Sequence, residues 1–297
     1  MVEHVSDGWA TLTTGGDEGQ ADSARAAATT ARAVADAAQL ACVLEVSAEK
    51  PGNITPSHDF DDTSFEDMLR CAIAIGPELA QARGVGETVL AVVEASRRVA
   101  PANTNLGIAL LLAPLAKAAL AGGPLRERLG ETLRALDVAD ARAAYAAIRL
   151  AGAGGLQERV EHDVREEPEI GLREAMAAAA DRDSIASEYV TDFALTFEVG
   201  LPALRDGSRD AIVELHLRLL AHTPDTLIAR KAGADAAERV SAGARDVLAG
   251  RRTLQSFDAS LRTQGNRLNP GTTADLVTAT LFVALVEGML APSHHSS

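Results

Sequence analysis

Apolar residues recur at intervals of three and four along most of this 297-residue chain, and no segment alternates apolar with polar residues over the length of a strand. The apolar residues, 47% of the total, are mostly Ala, Leu and Val, and only 3% of residues are aromatic. This composition favours close-packed helices over a sheet and is sufficient for a sizeable core. Because no long polar linker or fixed-period repeat divides the chain, we predict an all-α fold with a single multi-helix domain over residues 22–297 and a disordered polar tail over residues 1–21.

Helix start and stop signals divide the predicted domain. The first helix is predicted to begin at Asp22 or Ser23 and to end before Pro51, and the second to begin at Thr63 or Ser64. Later helices are predicted over residues 86–99, 105–121, 126–135, 138–150, 171–181, 183–200, 208–220, 224–249, 254–264 and 272–290.

The chain is acidic, with a formal net charge of −14 and lysine only at Lys50, Lys117 and Lys231. Such a surface repels phosphates, so we expect neither a nucleic acid nor a membrane as a partner. We find no basic-then-apolar signal region and no apolar run of the roughly 20 residues that span a bilayer. Cys42 and Cys71 are expected to be buried free thiols. We therefore expect a cytoplasmic protein, and the sequence leaves a homo-oligomer open.

Charged residues are dense at the end of the first predicted helix and in the turn after it. Glu45 ends an otherwise apolar helical stripe, and Lys50, Asn53, Asp59 and Asp61 follow in the turn-rich segment. Carboxylates at this density repel one another unless a cation or the basic groups of a ligand lie among them, and Mg²⁺ is the natural cation. The alternative is that the aspartates belong to a solvated turn followed by a helix N-cap.

A polar segment precedes the apolar helix predicted over residues 105–121. Asn103, Thr104 and Asn105 either cap that helix or, beside Gly107, leave free N–H groups that point at a bound anion. The sequence leaves both interpretations open.

A second helix start of this kind precedes the last predicted helix. Gly271 permits close approach to the backbone, the helix dipole favours an anion, and Thr272 and Thr273 belong to the same predicted phosphate site. Asp275, expected in the first turn, is suited to hold a metal ion that bridges phosphates. The alternative is a capped helix after a Pro-Gly turn.

A third helix start contains two basic residues. Thr223 as the N-cap, Pro224 at the first helical position and Asp225 beside it form a complete helix start, so Asp225 needs no catalytic role to explain it. Arg230 and Lys231 follow about one turn later in a chain with few lysines, which fits a contact with phosphate. Solvated basic residues are the alternative.

Taken in order, these segments resemble the triphosphoribosyl-dephospho-CoA synthase family from about residue 25 to residue 290. The motifs that carry the resemblance are Glu45 with Lys50-Pro-Gly52, His58-Asp59-Phe60-Asp61, Asn103-Thr-Asn-Leu-Gly107, Asp225-Thr-Leu-Ile-Ala-Arg-Lys231 and Asn269-Pro-Gly-Thr-Thr-Ala-Asp-Leu276. The resemblance implies an all-α fold and a reaction in which ATP loses adenine while its triphosphoribosyl group passes to the 2′-hydroxyl of dephospho-CoA.

For such a reaction the sequence supplies candidate residues. Glu45 is predicted to accept the proton of the acceptor hydroxyl, although Asp59 or Asp61 would fit as well. Asp59, Asp61 and Asp275 are predicted to hold Mg²⁺ on the triphosphate of ATP, and all four carboxylates are expected to converge on one pocket. The predicted substrate and phosphate contacts are Lys50, Asn53, Asn103, Thr104, Asn105, Asp225, Arg230, Lys231, Gly271, Thr272 and Thr273.

The chain departs from the usual family pattern in three motifs. Asn105 and Leu106 stand where the family usually has a His and a basic residue, and Arg230-Lys231-Ala232-Gly233 replaces the usual Arg-Gly-Gly. The last motif is Pro-Gly-Thr-Thr-Ala-Asp275 where the family usually has Gly-Gly-Ser/Ala-Ala-Asp. These differences are typical of a divergent branch. They leave open whether the acceptor is dephospho-CoA, whether a phosphoribosyl-type group passes to another cofactor precursor, or whether the chain binds a nucleotide without turnover.

Overall fold

The computed structural model describes residues 29–100, 105–152 and 167–290, and over these residues the fold is all-α, as predicted. The described helices are α1 (Ala31–Ser47), α2 (Phe65–Leu79), α3 (Val85–Val99), α4 (Leu106–Ala121), α5 (Leu125–Arg134), α6 (Val138–Leu150), α7 (Leu172–Ala177), α8 (Ser184–Val190), α9 (Leu201–Ala203), α10 (Arg209–His222), α11 (Thr226–Ala232), α12 (Ala234–Leu248), α13 (Leu254–Leu261) and α14 (Gly271–Val286). A π-helix (Leu195–Gly200) runs directly into α9, and a four-residue extended segment, β1 (Thr263–Asn266), lies between α13 and α14.

The first helix begins later than predicted, and the second begins as predicted. Thr30 is the N-cap of α1, and because neither Thr30 nor the residue before it is helical, α1 does not extend back to Asp22 or Ser23. The tail predicted over residues 1–21 lies outside the described residues. Ser64 is the N-cap of α2 and forms a capping box with the third residue of that helix.

The core is built around α4 and α14, which are apolar on all sides. Most residues of both helices are buried, as expected for helices at the centre of a domain. Helices α1 and α10 and the π-helix pack against α14, while α3 and α5 pack against α4. A smaller apolar cluster lies between α10, α11, α12 and α13, so the single predicted core consists of a main cluster and a satellite.

Two long predicted helices are broken. The helix predicted over residues 224–249 divides into α11 and α12 at Gly233, whose φ of +93° is a left-handed conformation that favours glycine. The helix predicted over residues 183–200 ends with α8, because Asp192 and Phe193 adopt φ angles of 51° and 61°. The π-helix follows this break.

No single described helix is both long and apolar enough to cross a bilayer. Helices α4 and α5 satisfy the length and composition requirement only as a pair, across a bend of 116°.

The break after α8 encloses a carboxyl group. Glu188 is fully buried, and its Oε1 accepts the N–H of Leu195 at 2.8 Å, whereas its Oε2 has no hydrogen-bond partner among the described residues. Burial raises the pKa of Glu188 to about 8 from the usual 4.5, although the bond from Leu195 acts in the opposite direction. The folded protein therefore keeps this group protonated at neutral pH.

We predict that Glu188→Gln stabilises the protein increasingly as the pH rises from 4.5 to 8. In this window the unfolded chain ionises Glu188 while the folded protein does not, so the free energy of unfolding of the wild type falls with rising pH, by on the order of 4 kcal/mol. Glutamine keeps the acceptor for Leu195 and cannot ionise. Chemical denaturation at both ends of the window measures the difference.

Glu198→Gln is the matched control, because Glu198 belongs to the π-helix and its side chain is exposed. This variant should follow the pH dependence of the wild type. An equal stability difference between Glu188→Gln and the wild type at both pH values would contradict the prediction.

Candidate active site

Four helices begin at one place in the fold. The N–H of Ser184, at the start of α8, donates to Thr226 Oγ1 of α11 at 3.3 Å, and this hydroxyl lies 3.3 Å from Thr272 Oγ1 of α14. The start of α4 reaches the same place, because Gly107 lies against Asp275 of α14. The positive ends of the helix dipoles therefore converge. Those of α8 and α11 face their own capping carboxylates, whereas the start of α4 has no side-chain cap and favours a bound anion.

Asp225 is 2% exposed and joins α11 to α14. One carboxylate oxygen accepts the N–H groups of Leu227 and Ile228 at 2.9 and 3.0 Å, and the other accepts the N–H and the hydroxyl of Thr273, both at 2.8 Å. Burial raises the pKa of Asp225, and the bonds from Thr273 counteract the rise. Asp225 is thus the N-cap of α11, whereas Thr223, the predicted N-cap, ends α10. Asp225 and Thr273 were both predicted to bind substrate, but in the structure they are hydrogen-bonded to each other.

Asp275 is the fifth residue of α14, so it lies in the second turn and not in the predicted first turn. A Cβ added to Gly107 would lie 1.9 Å from Asp275 Oδ2, so the missing side chain of Gly107 makes room for this carboxylate. Asp275 is half-buried, and no hydrogen-bond donor of the described segments is paired with its carboxylate.

The pKa of Asp275 is raised well above its ordinary value. Burial is the largest cause, and the negative charges of Glu45, Asp225 and Asp183 add to it, while Arg230 acts in the opposite direction. Glu45 belongs to α1, Asp225 and Asp183 are the N-caps of α11 and α8, and all three helices pack against α14. Glu45 and Asp275, two of the four carboxylates that were predicted to converge, therefore act on each other electrostatically although they come from opposite ends of the chain.

Glu45 forms a buried ion pair with Lys50. Lys50 Nζ lies 3.0 Å from Glu45 Oε1, and it also donates to the main-chain carbonyl of Glu45 and, at 3.3 Å, to that of Ala48. These three acceptors match the three donors of an ammonium group. Burial raises the pKa of Glu45, and Lys50 counteracts the rise. In this structure Lys50 therefore holds Glu45 and does not make the predicted phosphate contact.

The loop after α1 is fastened to α13 and to the start of α14. Gly52, with a φ of +74°, donates its N–H to Asp258 at 2.8 Å, and Arg262 pairs with Asp258 and donates to the carbonyl of Asn53 at 3.0 Å. A Cβ on Gly52 would also lie 3.1 Å from Pro270. Asn53, a predicted phosphate contact, is buried in this joint.

Asp59 and Asp61 are exposed on the same loop. Asp59 accepts the N–H of Phe65 at 2.7 Å at the start of α2, which agrees with the alternative of a turn before a helix. No three His, Cys, Asp or Glu side chains within residues 29–100, 105–152 and 167–290 are grouped so that they could hold a metal ion. The predicted metal set of Asp59, Asp61 and Asp275 is therefore not formed, because the first two lie on the surface loop.

The two basic residues of α11 border the site. Arg230 NH1 lies 2.9 Å from Asp183 Oδ2, and Lys231 Nζ lies 3.4 Å from the carbonyl of Asn266. Burial lowers the pKa of Lys231, and the charge of Asp62 raises it. Sequence reasoning does not identify Asp183, because its position before α8 indicates only a helix cap.

Two of the predicted phosphate contacts near the start of α4, Asn103 and Thr104, lie outside the described residues. Asn105 is buried and stands at the N-cap position of α4, but its side chain makes no capping hydrogen bond. The capping interpretation therefore does not account for Asn105.

Gly271 and Thr272 have structural neighbours at the start of α14. A Cβ on Gly271 would lie 2.6 Å from Leu227 Cδ2, so this glycine allows α11 and α14 to approach each other. Thr272 is buried, and its hydroxyl is hydrogen-bonded to the hydroxyl of Thr226. We predicted that a ligand approaches the backbone closely at Gly271, but in the structure the side chain of Leu227 occupies that position.

Comparisons with known proteins agree with the resemblance noted in the sequence. A family model described as "CitG: ATP:dephospho-CoA triphosphoribosyl transferase" matches residues 31–293. A crystal structure from Archaeoglobus fulgidus, provisionally named triphosphoribosyl-dephospho-CoA synthase, is 32% identical with a TM-score of 0.61, covering 74% of this chain and 99% of that chain.

A relative from Stutzerimonas stutzeri (strain A1501), named "Probable 2-(5''-triphosphoribosyl)-3'-dephosphocoenzyme-A synthase", is 33% identical over 105 residues. This match covers 31% of this chain and 36% of the relative, so the chain spans about a third of that relative's length. The family model, in contrast, covers nearly all of the described residues. The chain therefore belongs to the ATP:dephospho-CoA triphosphoribosyl transferase family.

Proposed function

We propose that this chain transfers the triphosphoribosyl group of ATP to the 2′-hydroxyl of dephospho-CoA, or of a related cofactor precursor, and releases adenine. The observation that carries the proposal is the position of Asp275 against Gly107 at the start of α4, where the charge of Glu45 also acts on it. The family model and the names of the two relatives support the same reaction.

The transfer needs a base for the attacking hydroxyl. The bond between ribose C1′ and adenine N9 breaks, adenine leaves with the electron pair and takes up a proton from water, and a bond forms between C1′ and the acceptor oxygen. The proton of the acceptor hydroxyl passes to Glu45, which returns it to water. The raised pKa of Glu45 suits this task, because a base works best when its pKa approaches the operating pH. Lys50 fixes the orientation of the carboxylate through the 3.0 Å ion pair.

The breaking of the glycosidic bond places positive charge on the ribose. Fixed negative charges beside the ribose stabilise that charge in the transition state without having to reorient. Glu45 and Asp275 supply such charges, and the protein around them excludes much of the solvent that would weaken their effect.

The triphosphate is an anion, so it requires positive charge and hydrogen-bond donors from the protein. The start of α4 lacks a side-chain cap, so its first N–H groups and its dipole are suited to phosphate oxygens. At the start of α14 the N–H groups of Gly271 and Thr273 already donate to Asn269 and Asp225, so this helix contributes mainly its dipole. Arg230 and Lys231 add positive charge at the border of this region. The helix starts and the two basic residues therefore supply the triphosphate contacts in this proposal.

We include Mg²⁺ in the proposal, with Asp275 as its protein ligand. Magnesium is usually bound by one or two carboxylates together with substrate phosphates, so a set of three carboxylates is not required. Asp275 fits this use, because the residue is only half-buried and other carboxylates act on it, whose repulsion a cation relieves. When bound, Mg²⁺ would neutralise phosphate charge. Asp59 and Asp61 are not included, because they lie on the surface loop.

The proposal predicts that the purified protein, given ATP and Mg²⁺, releases adenine when dephospho-CoA is added. Adenine and triphosphoribosylated acceptor should form in equal amounts, and chromatography with mass detection measures both. Release with another acceptor alone would keep the transfer and exclude dephospho-CoA. ATP binding without adenine release with any acceptor would contradict the proposal and indicate a nucleotide-binding protein.

We predict that Asp275→Asn lowers adenine release at least about a hundredfold, since loss of a metal ligand removes several kcal/mol of transition-state stabilisation. Stability should not fall. The pKa of Asp275 is raised in the folded state, so its ionised form opposes folding above the ordinary pKa, and the neutral amide removes that cost. Steady-state rates across a Mg²⁺ titration and thermal melting at neutral pH measure the two effects.

Asp36→Asn is the matched control, because Asp36 pairs with Arg32 on the exposed side of α1. The control should keep the wild-type rate and magnesium dependence. A variant at Asp275 that retains most of its activity, or whose magnesium dependence is unchanged, would show that this residue is not the metal ligand.

A further inference from the structure

Asp183 uses its two carboxylate oxygens for two different contacts. Oδ1 caps α8 by accepting the N–H groups of Ile185 and Ala186 at 2.9 and 3.3 Å. Oδ2 accepts a hydrogen bond from Arg230 NH1 at 2.9 Å. Because the cap fixes the carboxylate on the backbone of α8, Oδ2 has a fixed position and is not the end of a mobile side chain.

The two helices that carry this ion pair are joined independently of it. The N–H of Ser184 donates to Thr226 Oγ1, and Thr226 is the first residue of α11. The distance between the starts of α8 and α11 is therefore set by the backbone and by Thr226. The ion pair between Asp183 and Arg230 is not needed to join the helices, and its effect is to orient the guanidinium group.

Arg230 keeps most of its donors available. A guanidinium has five N–H donors, and within the described residues the only hydrogen bond of this side chain is the one to Asp183. The side chain is 53% exposed, and its charge lies close enough to Asp275 to lower the pKa of that carboxyl group. The free edge of the guanidinium therefore lies where the triphosphate is proposed to bind.

We propose that Asp183 is a positioning residue that holds Arg230 in the orientation in which it binds the polyphosphate end of the nucleotide. This inference rests on the function proposed above and adds a residue that the reaction itself does not require. A free arginine side chain loses rotamer freedom when it binds phosphate, and the pair with Asp183 removes part of that cost in advance.

The direction in which a substitution of Asp183 changes phosphate affinity shows whether this residue orients Arg230 or acts only through its charge. Asp183 is an anion close to an anion-binding site, so loss of its charge alone should strengthen the binding of phosphate. If Asp183 acts by orienting Arg230, the same loss should weaken binding.

Asp183→Asn is the suitable variant, because Asn is as good an N-cap as Asp and α8 keeps its start. We expect the KM for ATP, with Mg²⁺ and saturating acceptor, to rise about tenfold while kcat changes much less. The affinity for inorganic triphosphate, measured by titration calorimetry, should fall by a similar factor.

A double-mutant cycle tests whether Asp183 acts through Arg230. In an Arg230→Gln background, Asp183→Asn should cause no further rise in KM and no further loss of triphosphate affinity, since the partner is already absent and only the removal of a negative charge remains. Arg230→Lys keeps the charge but loses the planar group, and it should weaken triphosphate binding as Asp183→Asn does. Asp36→Asn breaks a 2.8 Å ion pair in α1 and should leave both quantities unchanged.

Unchanged or tighter triphosphate binding by Asp183→Asn overturns the inference, as does an additive effect in the Arg230→Gln background. Absence of triphosphate binding to the wild type also overturns it. Should Asp183→Asn fail to fold, wild-type triphosphate affinity in Arg230→Lys overturns the inference in its place. Failure of the proposed function is recognised separately, because it removes adenine release and leaves the triphosphate titrations to decide the role of Asp183.

Discussion

The arrangement of the site depends on the four hydrogen bonds that Asp225 accepts. A carboxylate that is 2% exposed is costly unless its lone pairs are satisfied, and here two donors come from α11 and two from Thr273 of α14. The same contact that caps α11 therefore fixes the distance and register between the two helices. Arg230 lies in the second turn of one of them and Asp275 in the second turn of the other, so the position of each relative to the ligand follows from this single carboxylate.

The helix starts and the carboxylates of the site are suited to different parts of the ligand. Uncapped N–H groups at the start of α4 attract phosphate, whereas Glu45 and Asp275 attract a cation or a ribose that gains positive charge. These opposite preferences coexist within a short distance because Gly107 has no side chain, which lets the carboxylate of α14 reach the first turn of α4. A nucleotide that has a charged tail next to its reacting sugar matches this pattern.

The fold class and the meeting of distant motifs were predictable, because helical periodicity and helix starts are local signals. The burial of Lys50 was not, since a rare lysine in a polar motif resembles a ligand contact until tertiary packing shows three protein acceptors around its ammonium group. The break at Gly233 depends on a left-handed φ that a glycine permits but does not require. Asp183 looks like any other N-cap, because the partner of its second oxygen is 47 positions away.

The carboxylates of the site differ in how their charge is balanced. Asp225 has four donors, Glu45 has Lys50, and Asp183 has two N–H groups and Arg230. Asp275 has no such donor among the described residues, and its neighbours are mainly negative. An ionised group left in that condition opposes folding, and this cost is removed only when a positive charge arrives or the group is protonated. Among these carboxylates, Asp275 is therefore the one at which binding of a cation, alone or together with the triphosphate, gains most from charge that the described residues leave unbalanced.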